Sequence, residues 1–233
     1  MPCIELCERV LEANLALVRA GLVALTFGNA SAVDRDAGVV AIKPSGVSYD
    51  RLTADVIAVV DLESGAVVEG ETRPSSDTPT HLALYRAWPD VGGIVHTHSS
   101  FATAWAQACE EIPCYGTTHA DHFDGAVPVT RPLTSAEIEG DYELATGEVI
   151  LETFARHELG PLDRPAVLVA SHGPFAWGAS VEEAVENAIA LEEVAAGALR
   201  TRQLRAGVRP VSDDLRRRHF HRKHGPGAYY GQT

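Results

Sequence analysis

The sequence predicts an α/β fold in which a mixed sheet is covered by helices on both faces. Stretches of helical periodicity alternate with short, β-branched apolar runs along the whole chain. Two of these runs, 56–61 and 66–69, flank a Leu-Glu-Ser-Gly turn, which indicates a hairpin and therefore antiparallel pairing in the first third. With 233 residues, of which 45% are hydrophobic, the chain can form one large domain.

Helices are marked by apolar spacing and by the residues at their ends. Residues 4–19 carry apolar side chains at a helical period and are followed by Gly21, a typical stop. The Thr-Pro pair at 78–79 predicts the start of a second helix. The remaining helices are predicted at 99–110, after a capping box at 134–137, at 148–157, and from a second capping box at 180–183 to about 204.

Strands are predicted at seven short apolar runs, namely 22–26, 39–43, 56–61, 66–69, 93–99, 127–130 and 166–170. Two other segments are polar and are assigned no regular structure. Residues 118–124 hold four ionisable side chains, which favour either acid–base chemistry or a plain polar loop. The basic, histidine-rich run at 216–224 indicates, by its charge alone, a solvated tail.

Composition and charge exclude several classes of function. A net charge of −13 and a pI of about 5.1 argue against nonspecific binding to nucleic acid or to anionic membranes. No 18-residue apolar run could span a bilayer, and the start lacks the pattern of a signal peptide, so a cytoplasmic protein is expected. The four cysteines lack Cys-x-x-Cys spacing, so any bound metal would have histidine and carboxylate ligands.

A histidine pair near the middle of the chain is the first candidate for chemistry. His96 and His98 are two apart in a strand-like run, so both side chains point to the same face. Two such imidazoles could bind one divalent metal at about 2.0–2.1 Å, or they could be surface histidines. His172, in a turn after a buried run, could be a third ligand. Asp77, beside a helix start, could add a carboxylate or act only as a cap.

Three turns are suited to an anion. Glycine turns and helix N-termini present backbone N–H groups, and nearby hydroxyls add further donors for a phosphate. The three turns are Gly28-Asn29, Ser45-Gly46 with Lys43 before it, and Ser75-Ser76 ahead of a helix start. Together they predict that this acidic protein holds an anionic ligand locally.

These segments resemble the class II aldolase and epimerase family almost from end to end. The resemblance is carried by residues 25–31, 42–47, 74–81, 93–99 and 171–178, and also by 116–121 and 223–232. It implies a three-layer α/β/α fold with a mixed, mostly antiparallel sheet, formed by residues 1–233 as a single domain. It further implies a homotetramer in which the tail, about 212–233, contributes to the active site of the neighbouring subunit.

The resemblance also implies roles for individual residues. It assigns His96, His98 and His172 as zinc ligands, with Asp77 at the same metal site. It makes Asp121 and Tyr230 the acid–base pair, with Tyr230 supplied by the adjacent subunit. The residues that it assigns to the substrate, largely to its phosphate, are Gly28, Asn29, Ser45, Gly46, Ser75 and Ser76. Glu143 and His219 match positions near the site, and Lys43 lies beside one of the anion turns.

The implied activity is zinc-dependent interconversion of L-ribulose 5-phosphate and D-xylulose 5-phosphate, in L-arabinose catabolism. The substrate would be a phosphorylated ketopentose, and the route would be retro-aldol cleavage and re-formation of the C3–C4 bond. A sugar-phosphate aldolase of the same family, acting for example on L-fuculose 1-phosphate, is the nearest alternative. A zinc hydrolase is a further alternative, but it would leave the three anion turns without a role. A non-enzymatic zinc or sugar-phosphate binding protein is the last alternative.

Overall fold

The computed structural model describes residues 3–224 and 227–229. Its centre is a seven-stranded sheet in the spatial order β4-β3-β2-β1-β5-β7-β6. Each pair of neighbouring strands is antiparallel, and a parallel bridge joins Val129 to Leu168 at the β6 edge. The strands are β1 (Asn29–Asp34), β2 (Val39–Ile42), β3 (Ala58–Asp61), β4 (Val67–Glu69), β5 (Gly93–His96), β6 (Ala166–Leu168) and β7 (Pro174–Gly178).

Helices cover both faces of this sheet, which confirms the predicted three layers. The helices are α1 (Ile4–Arg19), α2 (Thr78–Ala87), α3 (Ser100–Ala108), α4 (Thr117–His122), α5 (Ser135–Glu139), α6 (Tyr142–Arg156), α7 (Val181–Leu204) and α8 (Asp213–Lys223). Short 3₁₀ turns lie at Tyr49–Arg51 and Ala54–Val56. Among the described residues, no helix is both long and apolar enough to cross a membrane.

Two hydrophobic cores lie on opposite faces of the sheet because strand side chains alternate between faces. Val95 of β5 belongs to the core under α1, α3 and α7, whereas its neighbour Ile94 belongs to the core under α2 and α6. Trp177 of β7, which is fully buried, packs in the second core against Trp88. His96, two residues after Ile94, therefore leaves the sheet on the α2 side.

A glycine allows helix α7 to approach strand β5 closely. A Cβ atom at Gly93 would lie 2.2 Å from Cα of Val181, the first residue of α7. No side chain can be accommodated at that separation, so the start of β5 lies directly under the start of α7. This contact fixes the start of β5 under α7, and therefore also the position of His96 at the other end of this short strand.

The strand predicted at 22–26 is wrong, and the central strand β1 lies just after it. Leu25 takes a left-handed φ of 55°, which breaks an extended run. Strand β1 instead consists of small and polar residues, Asn-Ala-Ser-Ala-Val-Asp, with a low intrinsic preference for strands. These residues fit there because β1 pairs on both sides, with β2 and β5, and its first four side chains are buried.

Other local predictions also differ from the structure. The helix predicted at 148–157 begins at Tyr142, and the strand predicted at 127–130 is reduced to isolated bridges. Strand β7 was not predicted, because a proline and two glycines in 173–178 obscure its pattern, although proline is tolerated as the first residue of a strand. The polar segment 118–124 and the basic run 216–224 are largely helical. Ser212 caps α8, with two aspartates in its first turn, and this helix start was overlooked.

Candidate active site

Three histidines from two separate segments of the chain converge at one end of the sheet. His96 ends β5, His98 lies two residues further on, and His172 occupies the turn between β6 and β7. Their candidate ligand atoms all lie within 4.8 Å of one another, and the Nε2 atoms of His96 and His98 are 3.1 Å apart. Among the described residues, these three histidines form the one cluster of three or more potential ligand side chains that could hold a metal ion.

Neighbouring groups orient two of these rings. The Nδ1–H group of His96 donates to the Pro174 carbonyl at 3.0 Å, so the lone pair of His96 is on Nε2 and faces the cluster. The same ring stacks on Phe175 with a centroid separation of 4.2 Å. The Tyr142 hydroxyl lies 3.4 Å from Nδ1 of His172. Hydrogen bonds to the outer nitrogen are the usual way in which a protein orients histidine ligands.

The electrostatics of the cluster favour the neutral form of two of the rings, His98 and His172. Burial, together with the neighbouring His96 and His98, lowers the pKa of His172 to about 4. Burial and His96 also lower the pKa of His98. Neutral imidazoles near pH 7 have free lone pairs, which is the form that binds a metal. The donor set, three imidazole nitrogens without cysteine, fits an open divalent metal site.

Asp77 lines the same cleft rather than serving as a helix cap. It occupies the N-cap position of α2 but makes no side-chain capping hydrogen bond. Its carboxylate instead accepts a hydrogen bond of 2.6 Å from the Asn29 amide. Burial tends to raise the pKa of Asp77, but His96, His81 and the Asn29 hydrogen bond outweigh it and lower the pKa. An ionised carboxylate therefore lies beside the three-histidine cluster, although outside the set whose ligand atoms lie within 4.8 Å.

A cleft of about 440 Å³ connects the histidines to the three predicted anion turns. All of the residues that the sequence assigned to the substrate line it, together with Lys43 and Glu143; they are Gly28, Asn29, Ser45, Gly46, Ser75 and Ser76. Asp77, His96, His98 and His172 line the same cleft. Segments far apart in the sequence, from residue 26 to residue 172, thus form one polar site.

Lys43 is the buried cation of this cleft. Only 2% of its surface is exposed, its ammonium donates to the Thr26 carbonyl at 3.1 Å, and it lies 4.8 Å from the centre of the Tyr49 ring. Burial lowers the pKa of Lys43, and the negative charge of Asp77 partly opposes that shift. A desolvated cation beside Ser45 and Gly46 is well placed to attract an anionic group.

Gly28 is required by both its backbone conformation and its surroundings. Its φ is +75°, and a Cβ atom there would lie 2.9 Å from the His96 carbonyl oxygen and 2.9 Å from a methyl of Val23. Gly21 has a similar φ of +70°, but a Cβ atom at that position would have nothing within 4 Å. Comparing an alanine substitution at each of the two glycines therefore separates the free-energy cost of the left-handed conformation from that of steric overlap.

We expect Gly28→Ala to lower the free energy of unfolding by more than Gly21→Ala does. Gly21→Ala carries only the left-handed conformational cost, roughly 1–2 kcal/mol, whereas Gly28→Ala also displaces the His96 carbonyl or Val23. Urea unfolding of both variants at one protein concentration measures the difference. Equal midpoints for the two variants would show that the close contact at Gly28 is unimportant.

Asp121 lies in a second polar cluster, which does not line the cleft of its own chain. It is buried on α4, where Arg222 of α8 donates to its carboxylate at 2.8 and 2.6 Å. The Nδ1–H of His219 donates to it at 3.1 Å, and His224 donates to its backbone carbonyl at 2.9 Å. Burial alone would raise the pKa of Asp121, but Arg222 and His219 outweigh it and lower the pKa.

The predicted acid–base partner, Tyr230, lies outside the described residues. Tyr229 just before it is described, and its backbone N–H donates to the Arg222 carbonyl at 2.9 Å. The end of the described chain is thus hydrogen-bonded to α8, the helix whose Arg222 binds the Asp121 carboxylate. His219 and Asp121 are brought together, whereas neither lines the cleft around His96.

Sequence reasoning missed three residues at or near these clusters. Tyr142, at the start of α6, lines the cleft and contacts His172. His81 is fully buried near Asp77, about one helical turn further along α2. Arg222 binds Asp121 from a run that was interpreted as solvated. The spacing of His81 four residues after Asp77 was a usable signal, since residues at that spacing share a helix face.

Comparisons with known proteins identify the family of the chain. The family model described as Class II Aldolase and Adducin N-terminal domain matches residues 8–199. A protein of Salmonella typhi named L-ribulose-5-phosphate 4-epimerase UlaF is 54% identical over 228 residues, which cover 98% of this chain and 99% of that protein. A protein of the same name from Salmonella paratyphi A has the same identity and coverage.

Solved structures show the same fold. A structure of L-fuculose 1-phosphate aldolase superposes with a TM-score of 0.78 at 26% identity, covering 94% of this chain and 95% of that one. The L-fuculose-1-phosphate aldolase of Thermus thermophilus gives a TM-score of 0.67 at 25% identity, covering 88% and 98%. By the matched family model, the full-length relatives and the shared fold, the chain belongs to the class II aldolase family.

Proposed function

We propose that the protein interconverts L-ribulose 5-phosphate and D-xylulose 5-phosphate with a bound zinc ion. The observation that carries this proposal is the single cleft that joins three converging histidines to the three turns suited to an anion and to a buried lysine. The names of relatives that are 54% identical over nearly their whole length support the same reaction. The assignment to L-arabinose catabolism stays a prediction.

The chemistry of the substrate explains why such a site is needed. The two sugars differ only at C4, whose C–H bond is not acidic because no carbonyl group is adjacent to it. The C3–C4 bond, however, is β to the C2 carbonyl and can break by retro-aldol cleavage once the C4 hydroxyl loses its proton. Rotation of the resulting aldehyde and re-formation of the bond on its other face invert C4. A bound divalent metal would supply Lewis-acid stabilisation of negative charge near C2.

The residues of the chain have separate roles in this proposal. Lys43 and the turns at Ser45 and Ser75 hold the phosphate, so the aldehyde fragment stays bound while its carbonyl turns over. The Asn29 amide keeps the Asp77 carboxylate facing the cleft. Two proton-transferring groups on opposite faces of the sugar are required, and Asp121 and Tyr230 are proposed for them.

The separation of Asp121 from the cleft supports a site shared between subunits. We infer a homotetramer of cytoplasmic location in which the α4–α8 cluster, with the tail after it, completes the cleft of a neighbouring subunit. Within one chain the Asp121 cluster and the histidine cleft are distinct groups of residues. Together they supply the metal, anion and proton-transfer groups that the reaction needs.

A direct assay tests the proposed reaction. Zinc-loaded protein is incubated with L-ribulose 5-phosphate, and D-xylulose 5-phosphate is detected by a coupled enzyme. Appearance of the product in proportion to protein and to bound zinc supports the proposal. Absence of product from protein with one zinc per chain would reject it.

The aldolase reaction is the second candidate, because the similar solved structures include L-fuculose 1-phosphate aldolases. An aldolase of this family would typically carry a glutamate at the position of Asp77. The same preparation is therefore given L-fuculose 1-phosphate, and dihydroxyacetone phosphate is measured. Net release faster than epimerisation would favour the aldolase.

We expect Lys43→Met to raise KM for the phosphorylated substrate. The ammonium is replaced by an apolar chain of similar length, and a hydrogen bond to a charged group contributes about 1.5–3 kcal/mol, or roughly 10–150-fold in KM. Steady-state kinetics with L-ribulose 5-phosphate measure this change. Turnover of unphosphorylated L-ribulose, tested as the control, should respond far less; an equal loss with both sugars would contradict phosphate binding by Lys43.

A further inference from the structure

Tyr49 lies behind the two anion turns that flank Lys43. It is the first residue of the 3₁₀ turn at Tyr49–Arg51, three residues after the Ser45-Gly46 turn, and its side chain is buried. It is not among the described residues that line the cleft around Lys43. Any effect of Tyr49 on a ligand in the cleft must therefore pass through the residues that it contacts.

The Tyr49 hydroxyl binds the backbone of the other turn. Its oxygen lies 2.8 Å from the Phe27 carbonyl oxygen and 3.0 Å from the Gly28 carbonyl oxygen, and its one proton serves both. Phe27 and Gly28 both line the cleft. The Phe27 carbonyl and the Gly28 N–H belong to one trans peptide group, so this N–H points away from Tyr49. The hydroxyl therefore determines which side of the loop presents carbonyl oxygens and which side presents a donor.

The Tyr49 ring contacts the buried cation. Nζ of Lys43 lies 4.8 Å from the centre of the ring and donates to the Thr26 carbonyl at 3.1 Å. An ammonium over an aromatic face is attracted by the ring, and more strongly where water is excluded. Because an ammonium has three N–H donors and the bond to Thr26 uses one, this arrangement holds Lys43 in place and leaves donors for an anion.

We propose that Tyr49 is a positioning residue that prepares the anion site before a phosphate binds. Its hydroxyl keeps the carbonyl oxygens of Phe27 and Gly28 on its own side of the loop, and its ring keeps the Lys43 ammonium at the Thr26 carbonyl. Without these contacts the incoming phosphate would have to order both the loop and the lysine, which costs affinity. The inference rests on the proposed function in taking this anion to be the phosphate of the substrate.

Phosphate binding without turnover tests this role. Zinc-loaded wild-type, Tyr49→Phe and Tyr49→Leu proteins are titrated with inorganic phosphate, and binding is followed by the width of the phosphorus NMR signal. Lys43→Met protein shows how much of the broadening belongs to this site. Tyr49→Phe keeps the ring but loses the hydroxyl, so we expect binding about 2–10-fold weaker, as for the loss of one hydrogen bond.

Tyr49→Leu loses the ring as well as the hydroxyl and should bind phosphate more weakly than Tyr49→Phe. Wild-type affinity in both variants would overturn the inference. So would wild-type protein whose phosphate signal does not depend on Lys43.

Tyr85→Phe is the matched control for the loss of a buried tyrosine hydroxyl. Tyr85 is fully buried, and its hydroxyl lies 2.8 Å from the Ser31 hydroxyl and donates to the Ser31 carbonyl at 3.0 Å. We expect a lower urea midpoint with unchanged phosphate affinity, whereas Tyr49→Phe should lose phosphate affinity and keep one zinc per chain. Equal losses of phosphate affinity in the two variants, or loss of zinc from Tyr49→Phe, would indicate general loosening and overturn the role.

A double-mutant cycle tests whether the ring acts through Lys43. The ratio kcat/KM for L-ribulose 5-phosphate is measured for Tyr49→Phe and Tyr49→Leu, each alone and combined with Lys43→Met. The two Tyr49 variants should differ when Lys43 is present and should be equal when the ammonium is absent. A difference that persists in Lys43→Met would show that the ring acts by packing alone, which would overturn its role toward Lys43. Protein that binds phosphate but does not epimerise would reject the proposed function, and the phosphate titration would still decide the role of Tyr49.

Discussion

Purified His96→Ala protein is expected to contain almost no zinc and to have no measurable epimerase activity. The Nε2 atom of His96 is 3.1 Å from that of His98, and the ring is fixed by Pro174 and by stacking on Phe175. Removing this ring leaves the proposed metal site with two histidine ligands, His98 and His172. The loss of zinc affinity should exceed the roughly 10–100-fold that removal of an outer-shell group costs. Elemental analysis after dialysis and chelator competition measure the loss.

His157→Ala is the control for this experiment. His157 is exposed at the end of α6 and lies outside the group of three histidines whose ligand atoms are within 4.8 Å. Its replacement should leave the zinc content at one per chain. If His96→Ala also retained one tightly held zinc, with an unchanged unfolding profile, the ion would have to be bound elsewhere and the proposed metal centre would be rejected.

The histidine pair could be predicted because a strand has a period of two. His96 and His98 share a face whatever the rest of the fold does, and the structure brings their Nε2 atoms to 3.1 Å. The anion turns were also visible locally, as Gly-Asn, Ser-Gly and Ser-Ser pairs. The residues alone could not show that the histidines and the three turns line one cleft, because the cleft joins segments as distant in the sequence as Gly28 and His172.

Strand β1 shows how tertiary structure can override local preference. Residues 22–26 are more apolar and β-branched than 29–34, yet the latter form the strand. Asn14 of α1 donates to the Ala30 carbonyl and accepts from the Ala30 N–H, at 3.2 and 3.0 Å, so the start of β1 is fixed by a helix. This interaction connects residues 16 positions apart, and neither periodicity nor propensity could reveal it.

The α4–α8 cluster was hidden for a related reason. Its ion pairs join Asp121 to Arg222 and Asp124 to Arg216, about a hundred residues away in each case. Charge alone indicated a solvated tail because eight of the nine residues at 216–224 are basic or histidine. Phe220 is the exception, and its buried side chain shows which face of α8 packs.

Asp121→Asn is expected to lower epimerase turnover about 10²–10⁴-fold, the usual contribution of a general acid–base residue, while the zinc content stays unchanged. Arg222 and His219 hold the carboxylate in place and lower its pKa, so it is ionised and able to accept a proton. Asparagine keeps the shape of the side chain but cannot take up that proton. Tyr230→Phe is expected to have an effect of the same kind. Steady-state kinetics and elemental analysis of each variant give the two quantities.

Asp124→Asn separates chemistry from the packing of α8. Asp124 follows α4 and pairs with Arg216 of α8, so its replacement removes a neighbouring ion pair between the same two segments. Turnover close to that of the wild type is expected. Equal losses in Asp124→Asn and Asp121→Asn would mean that the carboxylates only secure α8, and the acid–base role of Asp121 would be withdrawn.

Mixed assemblies then test whether the site is shared. Alone, His96→Ala protein should be inactive and Asp121→Asn protein should keep only its residual turnover, but subunits dissociated and reassembled together can pair an intact histidine cleft with an intact Asp121 from a neighbour. Recovered turnover in mixtures, with mixed oligomers verified by native mass spectrometry, is expected because the two groups of residues are distinct within one chain. Mixed oligomers without activity would require both groups to act within a single subunit, which would contradict the shared site.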